Sequence, residues 1–518
     1  MRRLCVLCAF ALVLAGSAPA AAGSTRHGDL TFPEHENAQP SSWDYWWGAA
    51  SLRTKSGNRY LVGIAFTSID GAMSAGYQVW PRQGPYKGQS VMSMEGPVEW
   101  GHPEQPPGRF VNKMTVNLPA TDQRLSLDTF DTGDGLKPIS RWERIDLDRE
   151  SYRLRLDQAA AAVHPSGERV RLRLNLVADM RTPLLAGGTG RWFYGVPEDF
   201  GYQSRAYQYQ QAAKRLTGSI ELQQPDGSIL RERVDRKRSI LSMTRESNPK
   251  EAIPTGIALA LSSQLHPRYF QSYNLQWPWE LVYADLGNGA QLMFDLQTYH
   301  DTPRGLVNAN PKQPTYRVLS TLRLRNGKSV RLDGHLHAEH LEMRTLDTIN
   351  SAAGNTLASA WVQGWRFRVS YPGGKERTAD GKTVRVPPFD LGLVPPFDKN
   401  EPLPDDHNNR LTQRVPFDVR GSYGGCPVRG FAWSELLTNW YGWEERDPWL
   451  TDGALPKTPK RCGAKVRQPP LHPTGELNPP REPTEPANLT TEKCEANDAT
   501  PRCEYDAQGA GGVAASHH

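Results

Sequence analysis

The feature that most constrains this chain is a two-residue alternation of apolar and charged side chains. In residues 169–177 every second residue is Val or Leu, and most of the residues between them are Arg. Residues 152–157 repeat the pattern. Successive side chains of a strand point to opposite faces, so this spacing predicts half-buried antiparallel strands with one face against a core.

Turn signals and composition extend this prediction to the whole chain. Asn326 and Gly327 separate two alternating segments, which predicts a hairpin with a type I′ turn. Of the 518 residues, 38% are apolar and 23% are charged, which excludes a coiled coil or a wholly disordered chain. We therefore expect a mainly β protein. The net charge of +5 is too dilute over this length to indicate a nucleic-acid partner.

The first residues have the pattern of a secretory signal peptide. Arg2 and Arg3 precede an apolar run at residues 4–14, and small residues up to Ala22 match a cleavage site. The run is too short to span a bilayer, and no later run of about 20 apolar residues follows. We expect residues 1–22 to be removed, and the protein to be secreted or periplasmic without a transmembrane segment.

The C-terminal part of the chain combines cysteines with a composition that disfavours a folded core. Cleavage leaves four of the six cysteines, Cys426, Cys462, Cys494 and Cys503. An even number in an oxidising compartment predicts two disulfides, with three possible pairings. Residues 456–518 are rich in Pro, Thr and Glu, so we expect a disordered tail that only its cysteines hold in place.

Common catalytic motifs are missing from the chain. It contains no G-x-S-x-G, H-E-x-x-H or P-loop sequence, which argues against a serine hydrolase, a zincin or a nucleotide enzyme. His335, His337 and Glu339 would share one face of a strand as a possible metal set, but they follow a hairpin with a polar face. We expect neither a metal nor a cofactor.

Two segments that combine acids with tryptophans, residues 43–47 and 277–285, are the candidates for a site. In strands, Asp44 and Trp46 share a face, and Tyr283 and Asp285 share another. A carboxyl group beside indole and phenol rings suits protonation of an alkene, with the cation stabilised by the rings, or stacking on a sugar. The other interpretation is that these tryptophans only form a sandwich core.

At these residues the sequence resembles the secreted lipocalin-like proteins grouped with carotenoid 1,2-hydratase and the AttH-type predicted secreted hydrolases. Phe-Pro-Glu-His at 32–35 and Asp-Tyr-Trp-Trp at 44–47 are similar to the opening of that family. Trp-Glu at 279–280 and Leu-Met at 292–293 are similar to a second block. The closing pattern of the family resembles residues 419–430 together with Glu-Leu at 435–436.

The resemblance implies two consecutive lipocalin-like antiparallel β-barrel or sandwich domains, at residues 30–250 and 251–447, with a ligand cavity near their junction. It also implies an apolar isoprenoid- or polyketide-like ligand that undergoes hydration, cyclisation or isomerisation without a cofactor. The Asp-His-x-Trp segment of the family corresponds to Gln-Leu-His-Pro-Arg at 264–268, where only His266 is kept.

Our leading hypothesis is a secreted lipocalin-like protein that binds an apolar ligand and acts on it as a hydratase, isomerase or cyclase. The alternatives are a non-catalytic carrier of lipid or pigment, and a carbohydrate-active module. The oligomeric state stays open. The candidate catalytic residues are Asp285, Tyr283, His266 and Asp44, and the candidate ligand-binding residues are Trp46, Trp47, Trp277, Trp279 and Glu280.

Overall fold

A computed structural model describes most of the β-rich part of the chain. The described residues are 25–37, 42–69, 72–95, 110–111, 126–131, 137–146, 149–164, 166–190, 207–249, 279–300, 314–332, 335–342, 345–346, 361–362, 366–378, 380–396, 412–437, 453–463, 465–466, 494–495 and 502–503. The predicted signal peptide, residues 1–22, lies outside them. No helix within these ranges is long and apolar enough to cross a membrane.

The N-terminal part of the chain forms a small hairpin, a 3₁₀ turn and a large antiparallel sheet. The hairpin consists of β1 (Thr25–His27) and β2 (Leu30–Phe32), and the 3₁₀ turn Glu34–Glu36 follows. The sheet consists of β3 (Ser42–Arg53), β4 (Arg59–Ile69), β5 (Ala72–Pro81), β6 (Ser90–Glu95), β7 (Phe110–Val111), β8 (Ser126–Asp131), β9 (Lys137–Asp146), β10 (Ser151–His164), β11 (Arg169–Met180), β12 (Leu184–Leu185), β13 (Tyr207–Gln223), β14 (Ile229–Arg233) and β15 (Ile240–Pro249). A second 3₁₀ turn, Ala186–Gly188, follows β12.

Within the described ranges, part of this sheet closes into a barrel. The order of neighbours is β3, β4, β5, β6, β10, β11, β13 and β15, and β15 pairs again with β3. β9, β8 and β7 continue outward from β10, and β12 and β14 pair with β13. A ring of eight strands has an interior just wide enough for side chains or one small ligand.

The second half of the chain forms an open antiparallel sheet and three short hairpins. Its strands are β16 (Trp279–Asp285), β17 (Gln291–His300), β18 (Pro314–Arg323), β19 (Ser329–Arg331), β20 (His337–Glu342), β21 (Thr345–Leu346), β22 (Trp361–Val362), β23 (Arg366–Tyr371), β24 (Gly374–Arg377), β25 (Thr383–Val386), β26 (Phe389–Val394), β27 (Thr412–Tyr423), β28 (Cys426–Leu437), β29 (Cys494–Glu495) and β30 (Arg502–Cys503). The sheet order is β19-β18-β17-β16-β28-β27-β26-β23-β20. The predicted fold class, mainly β with two consecutive antiparallel sheets, is confirmed.

The alternation in the sequence explains which face of each strand is buried. Along β11 the even-numbered residues from Val170 to Met180 are buried, and the Arg-rich odd positions are exposed or half-buried. The apolar side fills the interior of the barrel, where it packs with residues of β3, β4, β10 and β15. A separate apolar cluster covers one face of the second sheet.

A third cluster lies between the two sheets. β3 contacts β28, β4 contacts β27, and β12 contacts β18, so the sheets stack face to face with their strands in matching order. The outer side of the barrel therefore packs against the second sheet. We call this region the junction; its apolar members are Trp47, Ala49, Leu61, Ala65, Trp80, Leu184, Ala186, Leu281, Tyr283, Met293, Phe431 and Trp433.

A disulfide fastens the beginning of the predicted tail to the second sheet. Cys426, at the start of β28, is bonded to Cys462. The described segment 453–463 contains neither helix nor strand, and its Leu455 and Pro456 pack against Gly392 of β26. In the described backbone, Cys494 and Cys503 lie directly opposite each other on β29 and β30. This register favours the second of the two predicted disulfides between them.

The hairpin between β18 and β19 forms where predicted, but its turn type differs. The amide of Leu324 donates to the carbonyl of Lys328, and the amide of Gly327 donates back to Leu324. Only Gly327, at φ +84°, has positive φ; Asn326 does not. A type I′ turn needs positive φ at both central residues, so the prediction of that turn was wrong.

Candidate ligand site at the junction of the two sheets

β16 supplies the central residues of the junction. Leu281, Tyr283 and Asp285 alternate along this strand and face the barrel. In the register, Tyr283 lies between Met293 on β17 and Trp433 on β28. Side chains directly opposite each other in neighbouring strands share a face, so these residues present one continuous surface to the barrel.

Aromatic rings from both sheets meet at this surface. The centroid of the Trp433 ring is 5.0 Å from that of Tyr283 and 5.8 Å from that of Trp47 on β3. All three side chains are buried. On the barrel side, Trp80 lies over Gly63, where an added Cβ would be 3.4 Å from the indole. The middle of the junction is therefore lined by indole and phenol rings.

A hydroxyl group from each sheet lies among these rings. Thr244 on β15 lies directly opposite Trp47 in the strand register. The Thr244 hydroxyl lies beside the Tyr283 hydroxyl, and this contact by itself lowers the pKa of the phenol. The two hydroxyls contact each other and have no further hydrogen-bond partner. The pair thus offers two buried O–H groups beside aromatic faces.

Three buried carboxylates surround the phenol. Glu246 comes from β15 of the barrel, and Asp295 and Glu435 flank Leu281 in the second sheet. Each is at most 3% exposed. Burial raises the pKa of Tyr283 well above its usual value, and the negative charges of these carboxylates raise it further. Tyr283 is therefore a protonated phenol, able to donate a hydrogen bond, at any physiological pH.

Ion pairs between the sheets lie at the other end of β16. Asp285 Oδ2 is 3.8 Å from Arg181 Nη1, and its Oδ1 accepts a 2.7 Å hydrogen bond from the amide of Gly287. Nearby, Arg59 of β4 holds Asp418 of β27 through two contacts, of 2.5 and 3.3 Å. Burial raises the pKa of Asp285, although Arg181 and the Gly287 amide oppose the rise.

The arrangement combines three chemical capacities. Asp285, with its raised pKa, is a carboxyl group that retains its proton more readily than a surface aspartate. The rings of Tyr283, Trp433 and Trp47 can stabilise a cation through their π faces. Glu246 and its two neighbouring carboxylates add negative charge where a cation would form. None of these capacities requires a metal or a cofactor.

Asp44 and Trp46 lie on the opposite side of the barrel wall from Trp47. Asp44 Oδ1 accepts a 2.6 Å hydrogen bond from Arg245 Nη2, and the guanidinium lies 4.1 Å from the centre of the Trp46 ring. The same Nη2 donates to the carbonyl of Asn37 at 2.7 Å. Asp44 is thus one half of a buried ion pair inside the barrel, away from Tyr283 and Asp285.

A second buried contact between a carboxyl group and a guanidinium lies in the same end of the barrel. Glu36, at the end of the 3₁₀ turn, accepts a 2.8 Å hydrogen bond from Arg144 Nη2 and another from the Tyr152 hydroxyl. Burial raises the pKa of Glu36 to about 8, against the opposing effect of Arg144. Its Oε2 makes no hydrogen bond. The turn therefore places a carboxyl group that is mostly uncharged at pH 7 inside the barrel.

The remaining predicted residues are only partly described. His266 and Trp277 lie outside the described residues. Trp279 and Glu280 form the first two positions of β16, and their side chains are not described. Across the described ranges no set of three His, Cys, Asp or Glu side chains is arranged to hold a metal ion. His335 instead contacts Glu376 at 3.1 Å.

Sequence reasoning did not select the junction carboxylates. Glu246 and Asp295 lie in segments without an aromatic motif, and only the strand register brings them beside Tyr283. Glu435 was part of the closing motif, although no role was expected for it. The usable signal was alternation: an acid that falls on the apolar face of a strand, as Asp295 does beside Met293, indicates a buried carboxylate.

Comparisons with known proteins find similarity at the level of solved structures. No family model matches the chain, and no curated protein matches it. The crystal structure of an AttH from Nitrosomonas europaea matches with 13% identity and a TM-score of 0.45, covering 78% of this chain and 96% of that one.

Two further solved structures match over similar lengths. Kievitone hydratase from Nectria haematococca is 14% identical, with a TM-score of 0.45, and the match covers 80% of this chain and 96% of that one. CghA is 14% identical, with a TM-score of 0.36, and the match covers 83% and 95% of the two chains. All three matches are similarities of overall structure at 13–14% sequence identity.

Proposed function

We propose that this protein binds a small, largely apolar molecule at the junction and acts on it by acid catalysis without a cofactor, as a hydratase, isomerase or cyclase. The observation that carries the proposal is the convergence, between the two sheets, of Tyr283 with three buried carboxylates and two tryptophan rings. Buried ionisable groups of this kind are concentrated at functional sites, because burying them without use is costly.

The proposed reaction begins with proton transfer from Asp285. The carboxyl proton adds to one carbon of a double bond, the π electrons form the new C–H bond, and a cation develops on the neighbouring carbon. The rings of Tyr283 and Trp433 shield that cation. Loss of an adjacent proton back to the Asp285 carboxylate completes an isomerisation, whereas addition of water, deprotonated by His266, completes a hydration.

Asp285 is preferred to Asp44 as the proton donor. Asp44 is held by Arg245 at 2.6 Å inside the barrel, on the other side of the barrel wall from Tyr283. Asp285 has a more distant partner at 3.8 Å and shares a face with Tyr283. In this proposal Trp47 lines the ligand site, Trp277, Trp279 and Glu280 extend it, and Trp46 supports the barrel interior beside Arg245.

The test starts from molecules that co-purify with the mature protein, identified by mass spectrometry. With such a substrate, Asp285→Asn is expected to lower kcat by a factor of about 10² to 10⁴ and to leave binding within about threefold. Asp418→Asn, which alters the neighbouring ion pair, is the matched control and should retain most of the turnover. Unchanged turnover in Asp285→Asn would remove this residue from the mechanism.

A non-catalytic carrier is the outcome to distinguish. If the co-purified molecule is recovered unaltered after prolonged incubation with the wild-type protein, and Asp285→Asn binds it equally well, the junction is a binding site only. We also propose that the protein is exported, which the Cys426–Cys462 disulfide supports because such bonds persist in oxidising compartments. N-terminal sequencing of the exported form should then find a start close to residue 23.

A further inference from the structure

We infer that the molecule bound at the junction carries oxygen groups that hydrogen-bond to the barrel wall, so that it is an oxygenated aromatic or polycyclic compound and not a hydrocarbon. This inference rests on the proposed function, since it concerns the ligand of the same site. It narrows the ligand class to molecules with at least one hydroxyl group and one further oxygen acceptor.

Polar atoms without hydrogen-bond partners are concentrated on the facing walls of the junction. Their side chains are at most 1% exposed, so bulk water does not solvate them. Buried polar groups in proteins are nearly always hydrogen-bonded, and a cluster of exceptions indicates a missing partner. The atoms are Gln208 Oε1, Gln210 Oε1 and Trp433 Nε1. The Thr244 and Tyr283 hydroxyls lie among them and contact each other, with no further hydrogen-bond partner.

The strand register places the barrel members of this set side by side. Gln210 on β13 pairs with Thr244 on β15, which in turn pairs with Trp47 on β3. Gln208 lies two residues from Gln210 on the same face. Tyr283 and Trp433 are opposite each other in the second sheet and contact Trp47 or Thr244 across the junction. One ligand could therefore reach several of these atoms.

The orientation of the amides determines what the ligand must supply. Gln208 Nε2 donates to the carboxylate of Glu246 at 3.4 Å, and Gln210 Nε2 donates to the Ser242 hydroxyl. A carboxylate only accepts, so Gln208 must direct its carbonyl oxygen away from Glu246. That oxygen needs a donor, such as a ligand hydroxyl. Trp433 Nε1 is a donor only and needs a ligand oxygen.

A hydrocarbon bound among these groups would leave them unpaired, because it has neither donors nor acceptors. A site whose polar groups match a ligand discriminates strongly against the analogue that lacks the matching groups, because burial then leaves donors and acceptors unsatisfied. The aromatic rings of Trp47 and Trp433 supply stacking surface for the body of the ligand. The junction should therefore bind a flat, hydroxylated molecule in preference to the same skeleton without oxygen.

The experiment compares naphthalene with 2,7-dihydroxynaphthalene by equilibrium dialysis against the mature, disulfide-intact protein. We expect the dihydroxy compound to bind at least tenfold more tightly. In Thr244→Val and Gln210→Met, which keep side-chain volume and remove hydrogen-bonding capacity, the preference should fall to less than about threefold. Thr217→Val, on the outer surface of β13 away from the junction, is the control and should retain the full preference.

The possible results separate this inference from the proposed function. Equal binding of the two probes to the wild-type protein would overturn the inference and leave the junction as a binding site for apolar molecules. Binding of neither probe would overturn both the site and the inference. A preference that survives in Thr244→Val and Gln210→Met would show that other groups select the ligand, which also overturns it. The wild-type comparison decides the matter even if a variant fails to fold.

Discussion

Two buried contacts between a carboxyl group and a guanidinium inside the barrel show how single residues set the behaviour of this protein. Asp44 with Arg245 and Glu36 with Arg144 are each at most 2% exposed. A buried pair is weak evidence for stability, because desolvation offsets much of the attraction. The loss of one partner is nevertheless expensive, since it leaves an uncompensated charge away from water.

Glu36 should make stability depend on pH. Its pKa is about 8 in the folded protein, against an ordinary value of 4.5. Between these values the unfolded chain releases the proton and the folded protein keeps it, so the free energy of unfolding should fall as pH rises from about 4.5 to about 8. Denaturant unfolding from pH 4 to 9 measures this slope.

Glu36→Gln should flatten that slope, because the amide has no proton to release. Glu34→Gln, an exposed position in the same 3₁₀ turn, is the matched control and should keep the wild-type profile. Identical pH profiles for the wild type and Glu36→Gln would contradict the raised pKa.

Removal of either charge of the Asp44–Arg245 pair should destabilise the protein strongly. Asp44→Asn and Arg245→Met are each expected to lower the free energy of unfolding by about 3–5 kcal/mol. The double variant should lose clearly less than the sum, because no lone charge remains. On the outer face of the barrel, Asp157→Asn breaks an exposed pair with Arg173 and should change stability by about 0–1 kcal/mol. Additive losses would argue against coupling.

At the scale of strands, the alternation of residue types determines which face of a strand a side chain occupies. The pairing register between strands determines which side chains become its neighbours. The prediction that Trp46 and Trp47 face opposite sides of β3 agrees with their positions in the barrel interior and at the junction. Tyr283 and Asp285 likewise share a face. The turn type between β18 and β19 could not be read from Asn-Gly alone, because a two-residue and a three-residue turn can use the same dipeptide.

The β18–β19 turn offers a test of local backbone strain. Gly327 has φ +84°, and the nearest heavy atom to an added Cβ would be Arg323 Nη2, at 3.8 Å. Any loss of stability in Gly327→Ala therefore comes from the backbone conformation and not from a steric clash. We expect a loss of about 1 kcal/mol in the free energy of unfolding. Lys328→Ala, the next residue, keeps its backbone amide and should be neutral. A neutral Gly327→Ala would be inconsistent with the positive φ.

At the scale of the whole molecule, the two sheets and the segment 453–463 are held together by contacts between residues distant in sequence. Arg59 and Asp418 form an ion pair across the junction, and the Cys426–Cys462 bond closes a sequence separation of 36 residues. The composition predicted a tail that depends on its cysteines. It did not indicate that Leu455 and Pro456 would pack on β26.

The disulfide should control the attachment of this segment. In the loop-entropy model, Cys462→Ser costs about 4 kcal/mol for a loop of this size. We expect protease cleavage within 453–463 to become much faster, because the segment detaches from Gly392. Cys494→Ser keeps the Cys426–Cys462 bond and should show the wild-type cleavage rate. Equal cleavage in the two variants would mean that packing alone holds the segment.

The sequence by itself determined the fold class and the buried face of alternating strands such as β11, because a two-residue period follows directly from strand geometry. It also placed Tyr283 and Asp285 together, since alternation needs no knowledge of other strands. Only the tertiary structure decided that Glu246, Asp295 and Glu435 meet at Tyr283, and that Asp44 is paired inside the barrel. The physical reason is that periodicity identifies which side chains leave water, whereas register and sheet stacking decide which of them meet.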